Sequence, residues 1–101
     1  MKAKYFLLFL LLALRSIRAT GQSTIALATG KALFVKHCIK CHGPDGTKGY
    51  WGAKNLRKSK LGDEGLFKTV SNGRWIMPAW KETLSRAEIS SVISYVKTLR
   101  D

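Results

Sequence analysis

Residues 37–43 read HCIKCHG, so two thiols and two imidazoles crowd into seven positions. Cys38 and Cys41 are three apart, and His37 and His42 flank them directly. Three chemistries use such a cluster: a closed zinc site, a thiol–disulfide switch, or a covalent haem anchor. A structural zinc site needs four ligands, usually as two pairs separated along the chain. No second Cys or His cluster follows Cys41 and His42. His37 and His42 are bonded neighbours of the two cysteines and cannot close a tetrahedron with them without severe backbone strain. A thioredoxin-type switch places its Cys-x-x-Cys at a helix start after a strand. Here the motif falls at the end of a helical pattern, in a chain without strand alternation.

Cys-x-x-Cys-His is the signature of c-type haem attachment. Two intervening residues space the sulfurs for the two vinyl groups along one porphyrin edge. The histidine that follows is carried under the ring plane, where a nitrogen can bind iron. Cys38 and Cys41 are therefore read as the thioether anchors and His42 as one axial ligand. Met77 is the only methionine besides the initiator. It stands in an extended segment before Pro78, because a residue preceding proline is pushed out of the helical region. Its thioether is a soft ligand that favours reduced iron, and Met77 is read as the second axial ligand. The competitor, His37, is tethered on the attachment side and reads as an edge residue.

Helices must position these groups. A first helix is expected to start at Thr29, which can cap free amides, and to run through Ala32, Leu33 and Phe34 into Cys38. Residues 43–61 form a long loop, with turn chemistry in GPDGTKG and Tyr50, Trp51 and Leu56 as pinning points. A second helix fits 63–71, with Asp63 and Glu64 at its positive end and Asn72–Gly73 as its stop. RWIMPAWKETL reads as non-helical. Ser85 to Glu88 is a capping box. It opens a last helix whose Ile89, Val92, Ile93 and Val96 form one buried stripe.

The chain has 101 residues, the length of one domain. Residues 1–19 have the shape of a secretory signal: Lys2 and Lys4, then an apolar run from Tyr5 to Leu14, then Ala19 and Gly21 at a small-x-small cleavage position. The expected organisation is a signal over 1–19 with cleavage near 19–21, a flexible segment over 20–28, and one domain over 29–101. Residues 20–101 keep 14 of the 18 basic residues and all six acidic ones, a formal +8. Lys48, Lys54, Arg57, Lys58 and Lys60 cluster in one loop with no acid among them. That cluster reads as a docking face for an acidic partner. Export removes nucleic acid from consideration.

From Thr29 to Leu99 the sequence resembles a class I c-type cytochrome, the small soluble monohaem kind. CIKCH matches the haem motif, and NGRWIMPAW is similar to the family's Gly-x-x-x-Met-Pro segment. Gly30 and Phe34, with Tyr95, resemble the pair at the crossing of first and last helices. One departure stands out: many relatives carry a proline just before the Asn-Leu element, where this chain has Ala53-Lys54. In the family that proline's carbonyl orients the histidine; here a backbone carbonyl near Gly52 to Lys54 takes its place.

The resemblance implies an all-α cytochrome c fold of three to five short helices around one covalent haem c with its iron. It puts Leu33, Phe34, Leu56, Phe67, Ile76, Trp80, Val92 and Ile93 around that group. Filled axial positions leave one-electron exchange as the reaction. The implied function is a periplasmic electron carrier between a respiratory donor and a terminal oxidase or reductase, not an enzyme in itself. The expected partners are redox proteins with acidic docking surfaces. The chain is expected to be a monomer that touches membranes only through partner complexes. Two alternatives remain open: a small haem subunit of an oxidoreductase complex, and a ligand-binding or weakly peroxidatic haem protein with Met77 off the iron.

Overall fold

A computed structural model describes residues 23–101; the expected signal over 1–19 lies outside the described residues. Among the described residues four α-helices follow one another: α1 over 23–37, α2 Ile39–His42, α3 Asp63–Asn72 and α4 Arg86–Thr98. Short 3₁₀ turns at Tyr50–Gly52, Leu56–Lys58 and Trp80–Glu82 join them. Among the described residues there is no strand, only an isolated antiparallel bridge between Arg74 and Met77. The all-α expectation holds.

α1 is already helical at residue 23, six residues before the expected start at Thr29. Residues 23–28 read STIALA, without Gly or Pro, and Ala and Leu are strong helix formers. Thr29 therefore sits inside the helix rather than at its cap. The 23–28 part of the segment read as flexible is helical.

Gly30 is there for packing. A Cβ at this position would run into the carbonyl oxygen of Ser91 and stand 3.0 Å from Tyr95 Cβ. The missing side chain lets α1 and α4 cross backbone to backbone. One turn on, the Phe34 and Tyr95 rings fill the crossing with centroids 5.3 Å apart. Both members of the crossing pair read from the sequence are thus in contact.

α4 begins as its capping box requires. Glu88 N–H donates to Ser85 Oγ at 3.1 Å, and Ser85 N–H donates to Glu88 Oε1 at 2.9 Å. Ile89, Val92, Ile93 and Val96 are all buried. α3 stops at Gly73, whose φ of 70° lies in the left-handed region that only glycine adopts without cost. Lys97 Nζ meets Asp63 Oδ1 at 2.7 Å, tying the end of α4 to the start of α3.

The core consists of Phe34, Leu66, Leu84 and the α4 stripe, with Leu33, Cys38, Leu56, Phe67 and Trp80 partly buried against it. Ile76, next to Met77, is 68% exposed on the polypeptide taken alone. Tyr50 and Trp51 are exposed too, so Leu56 alone of the three pins the loop. RWIMPAWKETL is not wholly irregular either, because Trp80–Glu82 closes a 3₁₀ turn.

Candidate haem-binding site

The attachment motif forms its own helical turn. Cys38 N–H donates to Phe34 O at 2.8 Å, so α1 hands the chain directly to Cys38. Cys41 N–H and His42 N–H then both reach Cys38 O, at 3.3 and 3.0 Å. This turn brings Cys38, Cys41 and His42 together on one short element. Both thiols are free, and both cysteines are half-buried. Burial, with the neighbouring Cys41 thiol, pushes Cys38 up to about 11. No group of three or more His, Cys, Asp or Glu side chains among the described residues could hold a metal ion.

His42 is oriented by the loop that follows it. Its Nδ1 lies 3.2 Å from the backbone carbonyl oxygen of Lys54. A carbonyl can only accept, so Nδ1 carries the proton and Nε2 keeps its lone pair. Burial lowers the His42 pKa, with the Lys54 bond opposing. The result is a neutral imidazole with a fixed tautomer, the form in which histidine binds metals.

The loop reaches this carbonyl through a series of ties. Lys48 N–H returns to His42 O at 2.9 Å, and Leu56 N–H to Gly46 O at 2.9 Å. Asp45 Oδ1 accepts from Thr47 N–H at 3.0 Å and from Thr47 Oγ1 at 2.7 Å, which closes the PDG turn. The Tyr50–Gly52 turn then packs on α2.

Met77 comes from a separate turn. Arg74 N–H donates to Met77 O at 3.1 Å, and Met77 N–H returns to Arg74 O at 2.9 Å. A Cβ on Gly73 would strike Met77 O and stand 2.7 Å from the Pro78 carbonyl carbon. Gly73 thus ends α3 and cradles the Met-Pro backbone, which gives the Gly-x-x-x-Met-Pro spacing a physical reason. Met77 itself is half-buried. His37 sits at the edge, its ring 5.0 Å from that of Trp80.

The donor set fits a c-type haem. It offers two unbridged thiols at the vinyl spacing, a neutral imidazole with Nε2 free, and a thioether on another element. The Lys54 carbonyl is the one functional group that the sequence narrowed but did not single out. Every residue has a carbonyl, so side-chain type carries no signal for it.

The comparisons agree with this site. The family described as cytochrome c oxidase, cbb3-type, subunit III matches residues 25–96. The chain belongs to this family of class I c-type cytochromes. It is 38% identical over 79 residues to the cbb3-type cytochrome c oxidase subunit FixP of Bradyrhizobium diazoefficiens, covering 71% of this chain and 27% of that protein. It is 36% identical over 86 residues to the chloroplastic cytochrome c6 of Chlamydomonas reinhardtii, covering 77% of this chain and 57% of that one. With cytochrome c6 of Tetradesmus obliquus it shares 34% identity over 77 residues, covering 69% of this chain and 86% of the relative. The chain thus spans about a quarter of the FixP subunit and just over half of the Chlamydomonas protein. Members of the family carry covalently bound haem c with its iron.

Proposed function

We propose that the chain is a monohaem electron carrier that binds haem c through Cys38 and Cys41, with His42 and Met77 as axial ligands. The observation that carries this reading is the His42–Lys54 bond, which leaves Nε2 free beside two unbridged thiols. When bound, the haem supplies one-electron exchange at its iron. The chain's own residues do the rest. The Lys54 carbonyl holds the Nδ1 proton and the ring plane. Gly73 places the Met77 turn, and Met77 offers a sulfur that favours the reduced state. Two protein ligands leave no position for a substrate, so the proposed activity is electron transfer alone.

Two measurements test this. The haem is expected to stay with the protein through acid–organic extraction, and the oxidised protein is expected to show the weak far-red band of thioether ligation. Extractable haem would refute the thioether anchors. A missing far-red band would put Met77 off the iron and favour a ligand-binding protein.

A second form of the same reading is a haem subunit held in an oxidase complex. The family description and the match to FixP favour it. A stable complex on gentle purification separates the two forms.

We further propose export to the periplasm on a signal over residues 1–19, with cleavage near 19–21. Amino-terminal sequencing of the haem-loaded protein checks it. The proposed partners are redox proteins with acidic docking surfaces, because Lys48, Lys54, Lys58 and Lys60 are all exposed. Arg57, once grouped with them, is tied down. Its guanidinium meets Asp101 Oδ1 at 2.6 Å through Nη2 and 2.9 Å through Nε. It holds the loop to the C-terminal segment instead of presenting a free charge.

A further inference from the structure

On the side of α1 turned away from the core, apolar side chains recur at a coiled-coil spacing. Ile25, Ala28, Ala32 and Val35 follow one another at steps of three, four and three. In a heptad written abcdefg they take a, d, a and d. All four are exposed, Ile25 at 67% and Val35 at 50%. On the same count Gly30 and Phe34 fall at f and c, on the opposite side of the helix. These are the buried residues that α1 sets against α4. α1 is thus apolar on two sides, and among the described residues only one of them is covered.

This exposure does not depend on the group held at Cys38 and Cys41. At 1.5 Å per residue, Ile25 lies about 20 Å and Ala32 about 9 Å along the helix axis from Cys38. Val35 alone of the four is within one turn of the anchor.

Charge decides what fits the stripe. Lys31 and Lys36 take the flanking g and e positions, and both are exposed. No acidic residue precedes Asp45 in the chain. A second copy of this helix would therefore set lysine against lysine, g to e in a parallel pair and g to g or e to e in an antiparallel one. A helix with Glu or Asp at e and g meets the same lysines with opposite charge. The Glu88 carboxylate also feels Lys36, but its bond to the Ser85 amide holds it at the start of α4. A lipid surface is the poorer match. Helices that lie in it present large side chains such as Trp, Phe and Leu, and two of these four positions are alanine. Alanine adds little apolar area for a bilayer but lets a second helix come close.

We propose that this face of α1 is a docking surface for an amphipathic helix of a partner protein, with apolar residues at a and d and carboxylates at e and g. The proposal goes beyond the electron-carrier reading and does not rest on it, since none of these residues takes part in holding the haem. Such a surface lets the chain be held by a partner while the haem site stays free for exchange.

The test uses the haem-loaded protein and two synthetic three-heptad peptides with Ile at a and Leu at d. One has Glu at every e and g, the other Lys. Titration calorimetry is expected to show binding of the acidic peptide and much weaker binding of the basic one. Ile25→Ala keeps a strong helix former in place. It is expected to weaken the acidic peptide about tenfold through lost apolar burial. Lys31→Glu with Lys36→Glu is expected to reverse the preference between the peptides. All variants are expected to keep the wild-type haem spectrum and circular dichroism. Equal affinity for the two peptides, no affinity for either, or acidic-peptide binding indifferent to both substitutions overturns the proposal. Tighter binding to vesicles of anionic phospholipid than to the acidic peptide overturns it in favour of a membrane surface. Wild-type dimerisation in sedimentation that Ile25→Ala abolishes overturns it in favour of a second copy. None of these results bears on the haem reading, which acid–organic extraction tests separately.

Discussion

His42 Nδ1 and the carbonyl oxygen of Lys54, twelve residues apart in sequence, meet at 3.2 Å. The loop thereby holds the ring through backbone, not through a side chain. Lys54→Ala is expected to leave the haem spectrum and the slowly exchanging ring N–H signal of the histidine unchanged. Deleting Lys54 shifts the acceptor and is expected to lose that signal and lower the potential. Proton NMR of the two variants separates them; loss of the signal in Lys54→Ala would count against the backbone assignment.

Gly30 touches the Ser91 carbonyl, and no side chain fits between them. Gly30→Val is expected to cost about 1 to 3 kcal/mol, the usual cost of overpacking. Denaturant unfolding of the haem-loaded protein measures it. A variant as stable as wild type would mean that α1 and α4 can separate freely at this point.

Met77→Ala is expected to open the sixth iron position. The ferrous protein then binds carbon monoxide readily, and its potential falls because the soft sulfur is gone. Gly73→Ala reaches the same residue indirectly: its Cβ would press on the Met-Pro backbone at positive φ. A partial form of the same spectral change is expected there.

Lys58→Glu with Lys60→Glu is expected to slow the reaction with an acidic partner and flatten its salt dependence. The Debye length falls from about 10 Å at 0.1 M salt to about 3 Å at 1 M, so the wild-type rate is expected to drop across that range. Arg57→Ala behaves differently. It breaks an ion pair that is half exposed on both sides, and is expected to cost at most about 1 kcal/mol of stability. Stopped-flow over a salt series and a denaturation curve distinguish these outcomes.

Glu88 and Asp45 both have lowered pKa values. The Ser85 backbone amide is the main cause for Glu88, and the Thr47 hydroxyl for Asp45. Their folded values lie below the unfolded ones, so their stabilisation is complete above the ordinary carboxylate pKa of about 4. It is lost as pH falls through the lowered folded values. Glu88→Gln keeps an acceptor for the cap but cannot titrate. Its acid unfolding limb is expected to be shallower than that of wild type, as read from urea midpoints between neutral pH and pH 3.

By itself the sequence determined what depends on residue type at short range. The spacing of Cys38, Cys41 and His42 is such a feature, as are the Ser85–Glu88 capping box, the stripe from Ile89 to Val96, and the stop at Gly73. Each is a pattern within a few positions, where local geometry follows directly from covalent spacing. The family likeness drew on the same local motifs. Tertiary structure alone decided what depends on distant backbone or on competition between elements. It chose Lys54 among three candidate carbonyls, since a carbonyl's identity is invisible in a side chain. It ran α1 on before Thr29, where the helix-forming residues 23–28 extend the helix past a residue that could have capped it. It withdrew Arg57 from the free basic surface, because Asp101 lies 44 residues away in sequence yet within hydrogen-bond reach. It closed the Arg74–Met77 turn with two backbone hydrogen bonds, which no side-chain type announces.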